Sequence, residues 1–263
     1  MRRILYAAVN QCLRGMVTGC DNILDDEYKK TLDTDLPEQA WRFRSVLDIM
    51  VSDRVLFKIL LKYHRMEQLT YDQLLAASAA SLSALTQSGT QEASEEKGIS
   101  KILPPEEILK TIHHYKTGLL FQCPWAVPLA IENYEKESVS HLLHALYQIG
   151  IGCQIMDDMV DLSNDLKKNR HNYVISLIYH DSEDKEKNRL QDLMASNARP
   201  HRKAALLSDF PKAQLHAVKA ARKFLESGLA ALFSQAHRFL VEPSISFISD
   251  RIGADCFMVG IGK

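Results

Sequence analysis

Apolar residues recur at every third or fourth position along most of the chain, the spacing that gives a helix one apolar stripe. The stretch 44–64, "RSVLDIMVSDRVLFKILLKYH", carries this pattern. Residues 69–87 open with Thr70 in a capping position and continue as a helix of small residues. The polar stretch 88–105, "SGTQEASEEKGISKILPP", interrupts the pattern and predicts a loop with room for one helical turn in its middle. "PEEILKTIHHYKTGLLFQCPW" then begins with proline and acids, as the N-terminus of a helix should. The longest unbroken pattern spans 138–168. Residues 180–212 are rich in charge and predict an exposed segment, and 213–240 predict a further helix with a break near Gly228. No β-rich block and no internal repeat stands out. The expectation is an all-α fold, one helical bundle over residues 1–263 around a central apolar cavity.

Composition supports long helices, since glycine (11) and proline (8) are scarce in 263 residues. A formal net charge of −1 gives no global bias toward nucleic acid or an anionic membrane. The five cysteines are odd in number and far apart, without a C-x-x-C pair. They read as free thiols packed as small apolar groups in a reducing, cytoplasmic compartment. No signal peptide is evident at the start, and the longest apolar run, near "TGLLFQCPWAVPLAI", is too short and too proline-broken to span a bilayer.

Candidate chemistry lies in two acidic clusters. "CQIMDDMVDLSNDLKKNR" places Asp157, Asp161 and Asp165 four apart, and "CDNILDDEYKK" does the same with Asp21 and Asp25. On a helix such residues share a face with Cβ atoms about 5–6 Å apart, and like charges there repel. One such cluster reads as readily as a solvated acidic face. Two matched pairs on separate apolar helices favour a cation. The spacing does not suit a calcium loop, which alternates its ligands and needs a central glycine. E-x-x-H pairs, H-E-x-x-H and C-x-x-C are absent, which argues against di-iron and zinc centres. Carboxylates without imidazole or thiolate suit Mg²⁺, which keeps waters and takes further ligands from a substrate phosphate. Asp158 lies about 100° around the helix from Asp157 and so is expected to act indirectly.

With these residues in place the sequence resembles the trans-type isoprenyl (polyprenyl) diphosphate synthases of the class I isoprenoid synthase fold. "CQIMDDMVD" matches the family's F-Q-x-x-D-D-x-x-D pattern at Gln154, Asp157, Asp158 and Asp161, preceded by Gly150 and Gly152. "DNILDDEYKK" resembles the first motif, D-D-x-x-D, at Asp21 and Asp25, with Asn22 in place of its second aspartate and Lys29 and Lys30 near its usual arginine pair. "MVSDRVLF" resembles the G-D-x-L-L stretch at Asp53, and "HYKTGLLFQCPW" the K-T-x-x-L-F stretch at Lys116 and Thr117. The four blocks come in the family's order over roughly residues 15 to 175. Only twenty residues precede Asp21, and the family's G-G-K-x-x-R-P segment is not among them. The expectation is therefore a fragment or variant start, or an incomplete site for isopentenyl diphosphate.

The resemblance implies Mg²⁺ held by Asp21, Asp25, Asp157 and Asp161, and an allylic isoprenyl diphosphate ionised beside it. It implies diphosphate contacts from Lys116, Lys168 and Arg170, each weighed against an ordinary surface charge. Thr117 and Gln154 would support the ligands, and Met16 and Val17 would form the floor of the chain pocket. The implied reaction is prenyl transfer to isopentenyl diphosphate. A terpene synthase acting on the same substrate, and a non-catalytic subunit or degenerate homologue paired with an active chain, are the alternatives. A homodimer or a heteromer is open. Asn22→Asp is expected to be tolerated. His113, His114, His141 and His144, weighed as metal ligands, are expected instead to be ordinary packing or surface residues, and Trp41 and Trp125 core or interface residues.

Overall fold

The computed structural model describes residues 2–26, 28–132, 134, 136–196 and 206–258. Among them no strand occurs. The order is α1 (Arg2–Asp25), α2 (Trp41–Arg65), α3 (Tyr71–Ser94), α4 (Pro105–Glu107), α5 (Ala126–Ile131), α6 (Lys136–Val160), α7 (Leu162–Lys168), α8 (Tyr173–Asp181), α9 (Asp184–Ser196), α10 (Pro211–Leu232), α11 (Val241–Ile252) and α12 (Asp255–Met258). Two π-helical segments, Ile108–Ile112 and His114–Gly118, follow α4 directly. The all-α expectation is met. The chain divides into two compact units, Met1–Ala93 with Gln122–Val139, and Ser94–Phe121 with Ser140–Lys263.

In the first unit α1 and α2 pack against each other in antiparallel fashion. α1 buries the stripe Leu5, Val9, Cys12, Leu13 and Met16. The buried face of α2 is not the one its apolar residues mark. It consists of Ser45, Asp48, Ser52, Leu56 and Leu60, while Val46, Met50, Val55 and Phe57 are exposed. Close approach explains the serines: a Cβ on Gly19 would stand 2.8 Å from the Ser45 carbonyl oxygen and one on Gly15 would run into Ser52 Oγ, so the helices meet tightly at this end. α3 opens with a reciprocal capping box, Thr70 Oγ1 accepting from the Gln73 N–H at 3.1 Å and Gln73 Oε1 from the Thr70 N–H at 2.9 Å. The helix runs to Ser94, past the expected end at residue 87. The Thr86 and Thr90 hydroxyls donate to the carbonyls one turn back, which satisfies their polar groups within the helix. Glu132, beyond α5, takes Arg2 at 2.5 Å and the Tyr6 hydroxyl, and Gln73 donates to the Ile131 carbonyl at 2.8 Å.

The second unit is built around α6. Residues 149–156 of that helix are buried at every position. Its core joins Ile149, Ile155, Met156 and Met159 to Val174 and Ile178 of α8 and to Val218 and Leu225 of α10. A fully buried aliphatic side chain of this kind contributes about 1.5–3 kcal/mol. α10 passes through Gly228 without the expected break and stops at Phe233 instead. Gly228 is a packing residue: a Cβ there would lie 2.6 Å from the Ala145 carbonyl oxygen of α6. The expected single helix over 138–168 is interrupted. α6 ends at Val160, Asp161 leaves helical geometry at ψ 7, and α7 begins at Leu162. Leu190 of α9 is buried within the segment expected to be exposed. Part of that segment, 197–205, lies outside the described residues.

Candidate active site

The first acidic cluster sits at the C-terminal end of α1, in the first unit. Asp21 and Asp25 are half-buried, and Asn22 between them is fully buried. Asn22 Oδ1 accepts from the Lys29 N–H at 2.8 Å and its Nδ2 donates to the Lys29 carbonyl at 3.1 Å. That clip folds the chain back after Asp26, which takes the left-handed φ of 58° that ends a helix. Asp26 is paired with Arg42 at 2.5 Å, and Lys30 with Asp33 at 2.5 Å. A cavity of about 530 Å³ opens beside this loop, lined by Asp26, Tyr28, Lys30, Thr34, Glu38, Trp41 and Arg44. One turn into the helix, Met16 is buried and Val17 half-buried.

The second cluster lies in the second unit, where α6, the π-helical segment and the start of α8 converge. Gln154 is buried and organises it. Its Oε1 accepts from the Thr117 hydroxyl at 2.6 Å, and its Nε2 donates to Asp158 Oδ1 at 2.9 Å and to Asp157 Oδ2 at 3.3 Å. Gly150 permits the approach, because a Cβ there would stand 2.7 Å from the Thr117 carbonyl oxygen. Asp157 and Asp161 are half-buried. Lys116, also half-buried, lends its charge to Asp158 and Asp165. π-helical turns are rare and recur at functional sites.

Asp158 belongs to the scaffold of this cluster. It is 2% exposed, and Oδ2 accepts both His113 Nε2 at 2.9 Å and the Tyr173 N–H at 2.6 Å. The second contact places its carboxylate on the N-terminus of α8. Burial pushes the Asp158 carboxyl up, but the charge and hydrogen bond of His113, the charge of Lys116 and the Tyr173 N–H outweigh it and hold the group below its ordinary range. Asn172 caps α8 by accepting from the Val174 and Ile175 N–H groups and donates to both the Asp158 carbonyl and Asp165 Oδ2 at 2.8 Å.

Asp165 does not extend a row with Asp157 and Asp161. The helix breaks at Asp161, and Asp165 is buried against Asn172. Burial, then the Asp158 charge, raises its carboxyl to about 8. Lys168 is half-buried in the last turn of α7, where a cation also complements the helix dipole. Arg170 is buried, 8% exposed. Cys153 is buried as well, and burial with the nearby Asp157 charge raises its thiol to about 12, so it stays protonated. Of the expected buried cysteines, Cys256 is exposed.

His113 is a buried packing residue, 1% exposed, and it is also paired to Asp158. The sequence held a signal for this. His113 and Thr117 are four apart, as are Gln154 and Asp158, and the two pairs meet in antiparallel order.

This is an all-α protein with a carboxylate cluster braced by a glutamine, a threonine and a histidine. A family model for polyprenyl synthetases matches residues 42–209, and the chain belongs to that family. The matched span contains Lys116, Thr117, Gln154, Asp157, Asp161, Lys168 and Arg170, and begins after Asp21 and Asp25. Among solved structures, geranylgeranyl pyrophosphate synthetase from Pyrococcus horikoshii is similar at a TM-score of 0.66 and 18% identity, over 95% of this chain and 80% of that one. Decaprenyl diphosphate synthase from Rhodobacter capsulatus gives 0.59 and 13% identity, over 96% and 80%. Geranylgeranyl pyrophosphate synthase from Corynebacterium glutamicum, complexed with isoprenyl diphosphate and magnesium, gives 0.55 and 14%, over 94% and 77%. No curated protein matches the chain. Family membership indicates prenyl transfer as the class of chemistry. Among the described residues no helix is long and apolar enough to cross a membrane.

Proposed function

We propose that this chain is a Mg²⁺-dependent prenyltransferase that ionises an allylic isoprenyl diphosphate and transfers the prenyl group to isopentenyl diphosphate. The observation that carries this reading is the Thr117–Gln154–Asp157/Asp158 network, which joins two sequence blocks inside the family-matched span. The donor set fits the metal. Asp157 and Asp161 offer hard oxygen ligands on a half-buried surface, as do Asp21 and Asp25 in their own unit. Among the described residues no group of three or more His, Cys, Asp or Glu side chains is placed to hold a metal ion. Mg²⁺ uses one or two carboxylates and takes its other ligands from water and phosphate oxygens. Bound there, Mg²⁺ would stabilise the charge that develops on the departing diphosphate. Lys116 would add a cation toward the same oxygens. Lys168 and Arg170 belong to the proposal as further diphosphate contacts, Met16 and Val17 as the pocket floor, and a cytoplasmic location as its setting.

A second reading, a chain that keeps the fold and works beside an active partner, draws on Asn22, whose amide is committed to Lys29. Incubation with radiolabelled isopentenyl diphosphate, farnesyl diphosphate and Mg²⁺ separates the readings. Longer labelled diphosphates support transfer. A hydrocarbon or alcohol from farnesyl diphosphate identifies a terpene synthase. Unchanged substrate supports the partner reading.

A further inference from the structure

We propose that His113 is a positioning residue for the second aspartate cluster, holding Asp158 so that Gln154 presents its remaining N–H to Asp157. The proposal rests on the reading of Asp157 as a Mg²⁺ ligand. His113 sits in the helical turn between the two π-helical segments, with its side chain 1% exposed. Asp158 Oδ2 is an acceptor, so His113 Nε2 must carry the proton. His113 Nδ1 is buried and has no hydrogen-bond partner among the described residues. The whole polar engagement of this ring is therefore its one bond to Asp158. A buried polar group with a single partner is held there by that bond, and the partner is held in return.

The consequence passes along a short chain of bonds. The Asp158 carboxylate is fixed from three sides, by His113 Nε2, the Tyr173 N–H and Gln154 Nε2. Gln154 is itself fixed at its oxygen by the Thr117 hydroxyl, so its amide cannot flip without losing that bond. One Nε2 hydrogen goes to Asp158 at 2.9 Å, and the other is left for Asp157 at 3.3 Å. Removing His113 takes away the donor that holds Asp158 Oδ2 on the side of the π-helical segment. The carboxylate is then free to turn about its Tyr173 anchor, and Gln154 follows it away from Asp157. Gln154 is the partner one bond behind the proposed ligand Asp157, a place that commonly decides metal affinity, and His113 acts on it through Asp158.

The test uses the full chain and a binding readout. Thermal unfolding is followed at fixed pyrophosphate while Mg²⁺ is titrated, for wild type, His113→Gln, His113→Leu and, as an unrelated core lesion, Leu225→Ala. The amide nitrogen of glutamine reaches the position of the histidine Nε2, whereas leucine offers no donor. His113→Leu should raise the Mg²⁺ midpoint of the shift by up to about tenfold, the lower end of what loss of a ligand's direct hydrogen-bond partner costs. His113→Gln should bring it back close to wild type, and Leu225→Ala should lower the melting temperature without moving the midpoint. If His113→Leu does not fold, His113→Asn, with a shorter reach, carries the same expectation. A normal wild-type shift that the Leu or Asn variant shares unaltered overturns the proposal alone, as does a His113→Gln midpoint no better than theirs. A wild type without any joint shift overturns the metal reading, and the proposal with it.

Discussion

Asn22 holds Lys29 through both ends of its amide, accepting the Lys29 N–H at 2.8 Å and donating to the Lys29 carbonyl at 3.1 Å. An aspartate there keeps the acceptor and loses the donor. It would turn a carboxylate oxygen toward a carbonyl oxygen in a fully buried site. The motif alone suggests that Asn22→Asp is harmless; the clip predicts a loss of roughly 1–3 kcal/mol. Denaturant unfolding of the two proteins decides the matter, and an unchanged midpoint would show that the clip contributes nothing.

The aspartates assigned to the metal make a sharper demand. If they hold Mg²⁺ as proposed, Asp157→Asn, Asp161→Asn and Asp21→Asn should each lower turnover at least about a hundredfold, since each would remove a ligand from an ion needed in the transition state. Helix content by circular dichroism should stay at the wild-type level. Near wild-type rates at saturating Mg²⁺ in any of the three would remove that residue from the site.

Asp165 predicts a pH dependence of stability. Its carboxyl is raised to about 8 in the folded chain, by burial first and by the Asp158 charge second. In the unfolded chain it titrates at about 3.9. Between those values the native state holds a proton that the unfolded state has released, so stability falls as pH rises through the window and levels off above it. Asp165→Asn deletes this contribution while keeping an amide beside Asn172. The wild type should therefore lose more melting temperature than the variant between pH 5 and pH 8, two readings chosen inside that window. Parallel pH profiles would show that Asp165 ionises alike in both states.

How much of this was legible beforehand depends on the kind of signal. The helices followed from apolar spacing, and Thr117, Gln154 and Asp157 followed from motifs whose residues then proved to be bonded together. His113 escaped because it stands beside His114 in an ordinary amphipathic stretch, and its only signal, the matched four-residue spacings on two distant blocks, means nothing until the blocks are known to meet. Asp165 was misplaced because spacing assumes an unbroken helix, and the chain turns at Asp161. The face buried by α2 escaped for another reason. Close backbone approach at Gly15 and Gly19 places Ser52 and Ser45 in the contact, a tertiary demand that a single helix does not carry.

That same α2 face buries a polar group without a partner among the described residues. Asp48 is fully buried, and neither carboxylate oxygen has a hydrogen-bond partner among the described residues. A buried polar group left unpaired costs about 1–3 kcal/mol, and a charged one more. Asp48→Ala should therefore raise the melting temperature, since the small cavity it leaves costs less than the unpaired group. A lower melting temperature would mean that Asp48 meets a partner in solution, and the next measurement would be the same comparison in the presence of Mg²⁺.

Product size offers the last comparison, because Met16 and Val17 sit differently although they are neighbours. Met16 is 2% exposed and belongs to the stripe that α1 buries. Val17 is half-buried, a little over one turn below Asp21. A phenylalanine at Met16 has to enter a close-packed interior and should cost about 1–3 kcal/mol through overpacking. A phenylalanine at Val17 has space on its open side and should leave the melting temperature nearly unchanged. If Val17 lines the path of the growing chain, Val17→Phe shortens the longest product made from farnesyl diphosphate while turnover of shorter allylic substrates persists. Chromatography of the dephosphorylated products reads this directly. A folded, active Val17→Phe with the wild-type product distribution would place the pocket floor elsewhere, and a destabilised Met16→Phe with that same distribution would assign Met16 to packing alone.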